Sequence, residues 1–412
     1  MSQGAQRLTG EMGCENGGTN GTRPTQTSRG KPLGCKNRTM NSSTIPGTAL
    51  SRGKIILTRA LHELANVTSV KIEDPDTGAE LYRHSDLWFD DGSVVCRAED
   101  TLFRVHMSQL ARHSVCFRDM FSLASSTRHP QPERLDEIEG CPVVFLHDKA
   151  EDLANLFVAL YDGPNFGDNG HDDFQRVSGI LRLSTKYIID SLREKALAHL
   201  RIAWPSNLKG WDCREDLARL HEMQTTDGSH LYPSPIAVIN LAREVDAPSL
   251  FPPAFYDLCR YPFCQIFAPS SFHPSTLSLS DTQRLCLGKE IAQNTITTLI
   301  QAMGTSQYIR THIRKPSSVC VSAAACRKDF SELVDLATQH YLFDRERGFC
   351  DPLYVAEELG QLKSAEFSEC KPCARSLEAW AARERQKMWK MIPLWFRLQE
   401  FNPSPAISPS HD

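Results

Sequence analysis

Long apolar runs, an excess of one charge sign and, in the first fifth of the chain, aromatic side chains are all missing from these 412 residues. The longest apolar stretches, such as Pro142–Leu146 and Ile392–Phe396, are strand- or turn-sized and fall far short of the roughly 18 residues that a membrane span needs. Lys and Arg number 46 against 50 Asp and Glu, a formal net charge of −4, so the clustered basic surface of a nucleic-acid binder is not expected. No Phe, Trp or Tyr precedes Tyr82, although aromatics make up 8% of the chain. The first fifty residues hold 9 of the 23 glycines and six basic residues against two acidic ones, which makes them about +4 and the remainder about −8. A stretch without aromatics buries too little apolar surface to offset the entropy of ordering it. Residues 1–80 are therefore expected as a disordered leader. One segment within it stays open: Ile56, Ala60, Leu64 and Val67 have helical spacing across Lys54–Val70. It either docks as a helix or remains unfolded, because an isolated helix of that length is marginal in water.

Several catalytic signatures are missing too. There is no alternating βαβ pattern with a glycine-rich phosphate loop, and no G-x-S-x-G elbow. His62-Glu63 and His221-Glu222 are not followed by the second histidine of a zinc-protease helix. The carboxylate pairs Asp172-Asp173 and Glu357-Glu358 sit in charged contexts and read as solvated faces. Cys116 and Cys141 fall in segments expected to be packed, which does not suit a nucleophile. A basic-then-apolar signal pattern is not found, so the 14 cysteines read as reduced thiols of an intracellular protein, cytoplasmic or nuclear. The Asn-x-Ser/Thr matches at Asn20, Asn37, Asn41 and Asn66 are then chance.

From Tyr82 the texture becomes that of a folded chain. Leu87–Phe89 and Ser93–Arg97 are short apolar runs around Asp90-Asp91-Gly92, a turn that predicts a hairpin. Leu102–Val105 follows, then helical periodicity at Leu110, Phe117, Met120 and Phe121. After a polar, proline-containing loop over 125–139 comes a buried-strand run, Cys141–Leu146. Asp148 and Glu151 suggest a capping pair for a helix over Glu151–Tyr161. A second helix is predicted from Phe174 to Ala203. Strands first and helices later argue for an α+β fold. Residues 205–400 read as almost entirely helical, with elements at Asp212–Met223, Pro235–Val245, Thr282–Met303, Arg327–Leu342, Leu353–Leu362 and Ser376–Met391, and with prolines between 233 and 274 breaking the middle. In the last of these, Leu377, Trp380, Met388 and Ile392 form the core face of a bundle helix, against the alternative of a basic surface helix for a partner or membrane. Residues 401–412 are expected as a disordered tail.

The span from His84 to Leu200 resembles a BTB/POZ domain. The carrying residues are Ser85-Asp86, the run Leu87–Arg97, Phe103-Arg-Val-His106, Leu110, Ser114-x-x-Phe117-x-x-Met120-Phe121, Val143–Leu146, Ala159–Gly163 and Leu181–Leu192. That resemblance implies a small mixed sheet capped by helices over 84–200, with Phe103 and Val105 on one strand face beneath Leu110, Phe117 and Phe121. It also implies a homodimer through the face Leu87–Met107, with Asp86 and His106 close together near the two-fold axis. His106 reads as a satisfied core histidine capping a helix, not as a catalytic or metal residue. The remainder resembles fungal, basidiomycete-type BTB proteins with a long helical C-terminal extension, through Ala203-Trp-Pro205, Trp211-Asp, Ile239–Ala247, Pro253–Leu258, Arg260-Tyr261 and Met388–Phe396. A non-enzymatic scaffold or adaptor without cofactor follows as the expectation, with no nucleic-acid or membrane partner. In the alternative, Leu135-Asp136-Glu137 would dock a cullin scaffold and the chain would be a substrate adaptor of a ubiquitin ligase.

Near the C-terminal end stand Cys320-x5-Cys326 and Cys370-Lys-Pro-Cys373, with Cys350 between them. Two pairs can supply four thiolates to a tetrahedral Zn2+. Buried reduced cysteines acting as small hydrophobes are the other reading. A redox C-x-x-C lacks its βαβ surroundings here.

Overall fold

The computed structural model describes residues 71–73, 78, 80–126, 137–225, 230–267, 276–303, 320–343, 348–365 and 370–398. The candidate helix 54–70, Leu135-Asp136 and the tail lie outside them. Alternation builds the sheet. In β3 (Val94–Ala98) and β4 (Thr101–Val105), Val94, Cys96, Ala98, Phe103 and Val105 share one buried face, while Val95 and Leu102 point to the other. With β1 (Lys71–Glu73), β2 (Glu80–Trp88), β5 (Glu137–Ile138) and β6 (Cys141–Phe145), the strands lie in the order β1-β2-β4-β3-β6-β5. β1 and the start of β2 come from the stretch expected as leader.

The predicted hairpin over Leu87–Arg97 does not form. β2 pairs in parallel with β4, and the hairpin instead joins β3 to β4, with Ala98 opposite Thr101. Its two-residue turn is Glu99-Asp100, where Glu99 takes a left-handed φ of 51°. Gly92 has a different reason to be glycine: a Cβ there would stand 2.8 Å from Arg104 Cγ and 2.9 Å from the Phe89 carbonyl oxygen. The Asp-Gly pair thus marks a close backbone approach and not a hairpin turn.

α1 (Met107–His113) and α2 (Val115–Ser126) are separated at Ser114. Its Oγ accepts from the Phe117 N–H at 3.0 Å and donates to the Tyr187 carbonyl at 2.6 Å. Ser114→Ala therefore removes a cap and orphans a buried carbonyl. A loss of about 1–2 kcal/mol is expected in chemical denaturation of the full chain.

The anticipated Asp148/Glu151 cap of α3 (Ala150–Tyr161) is also not used. The Asp148 carboxylate bonds Lys186 Nζ at 2.6 Å and the Tyr187 hydroxyl, while Glu99 Oε2 accepts from the Ala150 N–H at 2.9 Å. The single helix predicted over Phe174–Ala203 is two, α4 (His171–Lys186) and α5 (Asp190–Ala203). At the break Ile188 has φ 53°, and the Ile189 N–H reaches the Ser184 carbonyl at 2.8 Å, a helix-ending geometry that usually employs glycine.

α4 and α5 serve two cores. Ile180, Leu183, Tyr187, Ile189 and Leu192 join the sheet side, whereas Val177, Leu181, Ala196, Leu197 and Leu200 join the helical side. Arg182 pairs with Glu244 at 2.7 Å across this seam, and Arg193 donates to the Val245 and Asp246 carbonyls at 3.0 and 3.1 Å. The helical side comprises α6 (Leu208–Gln224), α7 (Pro235–Glu244), α8 (Phe251–Cys259), α9 (Leu279–Met303), α10 (Ala323–Thr338), α11 (Pro352–Ala365) and α12 (Lys371–Trp395). Prolines 235, 252 and 253 start helices here, standing in first turns where no N–H partner is lost. On α12 the anticipated face of Leu377, Trp380, Met388 and Ile392 is buried. The architecture is mixed α+β and mostly helical, as expected. None of the helices among the described residues is long and apolar enough to cross a membrane.

Candidate functional site

Of the residues expected at the dimer face or beneath it, Phe103, Val105, Leu110 and Phe117 are fully buried and Phe121 nearly so. Phe117 stacks on Tyr187 with ring centroids 4.3 Å apart, and on Phe121 at 5.9 Å. Asp86 is exposed, and its amide donates to His84 Nδ1 at 3.2 Å. His106 occupies the N-cap position of α1, but its side chain makes no cap bond. Tyr161 Oη accepts from the His106 N–H and stands 2.9 Å from His106 Nδ1. Burial pushes the Tyr161 hydroxyl pKa up, so it keeps its proton. On the other side of the ring, His106 Nε2 stands 3.2 Å from Asp91 Oδ1. The acid beside His106 is thus Asp91, from the turn after β2. Glu137, the end of the cullin-type triplet, is exposed at the start of β5. Cys141 is buried and its thiol donates to the Gly92 carbonyl at 3.1 Å.

A second constellation escaped sequence reading. Arg214 on α6 is only 4% exposed and bonds Asp257 Oδ2 of α8 at 2.7 Å and Glu215 Oε1 at 2.5 Å. Arg260 meets Glu215 at 2.7 Å, Asp351 at 3.3 Å and Asp257. The Arg214 guanidinium lies over Trp204, Trp211 and Tyr232, each within 4.8 Å. Burial alone would raise the Asp257 pKa, but Arg214 and Arg260 outweigh it and hold the carboxyl below its ordinary range. Tyr256 donates to Asp351 at 2.5 Å, and its burial keeps the hydroxyl protonated. The network floors a cleft of about 430 Å³ whose rim includes Asp216, Arg219, His230 and Glu357. One buried and one partly buried guanidinium face three carboxylates, and the arrangement locks α6, α8 and the turn before α11 together. One signal was available beforehand: Asp257 sits inside the otherwise apolar Phe251–Cys259, where a charge must find a partner.

The cysteine pairs do converge. Cys320, Cys326, Cys370 and Cys373 place their sulfurs within 4.8 Å of one another, with Cys320–Cys326 at 3.5 Å and Cys370–Cys320 at 3.8 Å. Cys326 and Cys373 lie in the first turns of α10 and α12, and Cys370 is the N-cap of α12. Burial raises the Cys370 pKa, but nearby backbone amides and the neighbouring thiols bring it down to about 7. Cys350 stands apart, its carbonyl accepting from the Cys259 thiol at 3.3 Å.

No family model and no curated protein matches this chain.

Proposed function

We propose that residues 84–200 act as a BTB/POZ-type interaction module that pairs with a second copy of this chain. The helical side, joined to it through α4 and α5, is then a non-enzymatic scaffold or adaptor surface. One observation carries this reading: ten of the residues that bear the resemblance gather around a single core. Leu87, Val94, Phe103, Val105, Leu110, Phe117, Phe121, Leu146, Tyr187 and Leu192 belong to it although they span more than a hundred positions. The pairing face is the one running from Leu87 to Met107. Trp88, Phe89 and Met107 are only half-buried there, and Val115 and Leu123 on α2 are exposed apolar side chains. Such side chains are the material of a self-complementary contact. Two differently tagged full-length copies expressed together are expected to purify through either tag as a mixed pair. Recovery of only the tag used for capture would overturn the proposal.

A further inference from the structure

We infer that Cys320, Cys326, Cys370 and Cys373 are the four ligands of a structural zinc ion that clamps the N-termini of α10 and α12. The sulfur geometry is the first support. Four thiolates at the usual Zn–S distance of about 2.3 Å lie about 3.8 Å apart around a tetrahedron. The observed 3.5 and 3.8 Å separations are close to that edge, and all four sulfurs lie within 4.8 Å of one another. A disulfide is about 2.05 Å and links two sulfurs, not four. Thiols packed as plain hydrophobes have no reason to converge, and the other buried cysteines do not: Cys96 packs in the sheet core and Cys141 and Cys259 turn to carbonyls.

Charge supplies the second support. A zinc tetrathiolate carries a net charge of about −2, which needs compensation in a buried place. Two helix N-termini point at it, each with the partial positive charge of its free N–H groups. Neither first turn contains an acidic residue, although acids are favoured there, and Lys371 and Arg327 adjoin the cysteines in sequence. The cluster itself takes the place of the missing acids.

The ion would tie together residues 44 positions apart in sequence, Cys326 and Cys370. Those residues begin two helices whose buried side chains, among them Phe330, Leu333, Leu377 and Trp380, belong to the helical core. The test uses the full chain, produced with zinc in the medium and purified without chelator, and metal analysis by mass spectrometry. About one zinc per chain is expected, and less than about 0.3 would overturn the inference. Cys370→Ser and Cys373→Ser are expected to lower zinc content at least threefold, while Cys264→Ser and Cys286→Ser at exposed positions leave it unchanged. Because a ligand variant can fail to fold, the wild-type chain is also loaded with cobalt(II). The absorption of a tetrahedral tetrathiolate supports the site, and an octahedral, oxygen-ligated spectrum contradicts it. Iron in place of zinc at the same stoichiometry would overturn the assignment of the metal.

Discussion

Asp257→Ala is expected to destabilise the full chain by about 3–5 kcal/mol, measured by chemical denaturation and by a lowered thermal midpoint. The carboxylate is almost fully buried and accepts from both Arg214 and Arg260. Without it, the buried Arg214 guanidinium and the partly buried one of Arg260 have only Glu215 and Asp351 to answer them. Removing one partner of a buried ionic group costs far more than the group contributes when intact, because the remaining charge is left without compensation. The near-isosteric Asp257→Asn keeps the shape and separates charge from packing. In the wild type, the folded-state pKa of Asp257 lies below its ordinary value, and that of Asp281, bonded to Arg243 and Ser278, does too. Groups depressed in this way contribute stability that is fully present above the ordinary carboxylate pKa and is lost as pH falls through the folded value. Stability is therefore expected to fall from about pH 5 downward, and less steeply in Asp257→Asn. An unchanged acid slope in that variant would remove Asp257 from the explanation.

Phe117→Ala is the second large effect, about 3–5 kcal/mol. Phe117 is wholly buried, stacked between Phe121 and Tyr187, and its amide is held by Ser114. Truncation opens a cavity where α2 meets the turn between α4 and α5, a place that cannot easily collapse. The Ser114–Tyr187 hydrogen bond fixes one wall, and the Asp148 bond to the Tyr187 hydroxyl holds the other end of that ring. Asp119→Ser on the same helix, at an exposed side chain outside the proposed pairing contact, is the contrast, with a change within about 0.5 kcal/mol. Equal losses from the two substitutions would contradict the placement of α2.

What could be read from the residues alone follows the range of the forces involved. The period-two placement of Phe103 and Val105 in β4 and the apolar stripe of α12 are local, and both were legible. Strand order was not, because β2 reaches β4 across the intervening β3, a pairing between segments that no local pattern records. Ile188 stayed hidden for another reason. A β-branched residue in a left-handed conformation carries none of the glycine that normally announces a helix end, and tertiary bonds at Tyr187 override its preference. α8 was missed because Pro252-Pro253 looks like a break until the first turn is seen to need no N–H. In the ionic lock, Arg214, Asp257, Arg260 and Asp351 come from three separated segments, so only Asp257 left a trace. The cysteine pairs were visible as pairs, and folding alone supplied their common centre.

Self-association of the sheet-containing module underlies the proposed function. Light scattering coupled to size-exclusion chromatography on the full chain at micromolar concentration measures it directly. Pairing predicts a molar mass twice that of the 46.3 kDa chain. A mass equal to one chain across the accessible concentration range would contradict it.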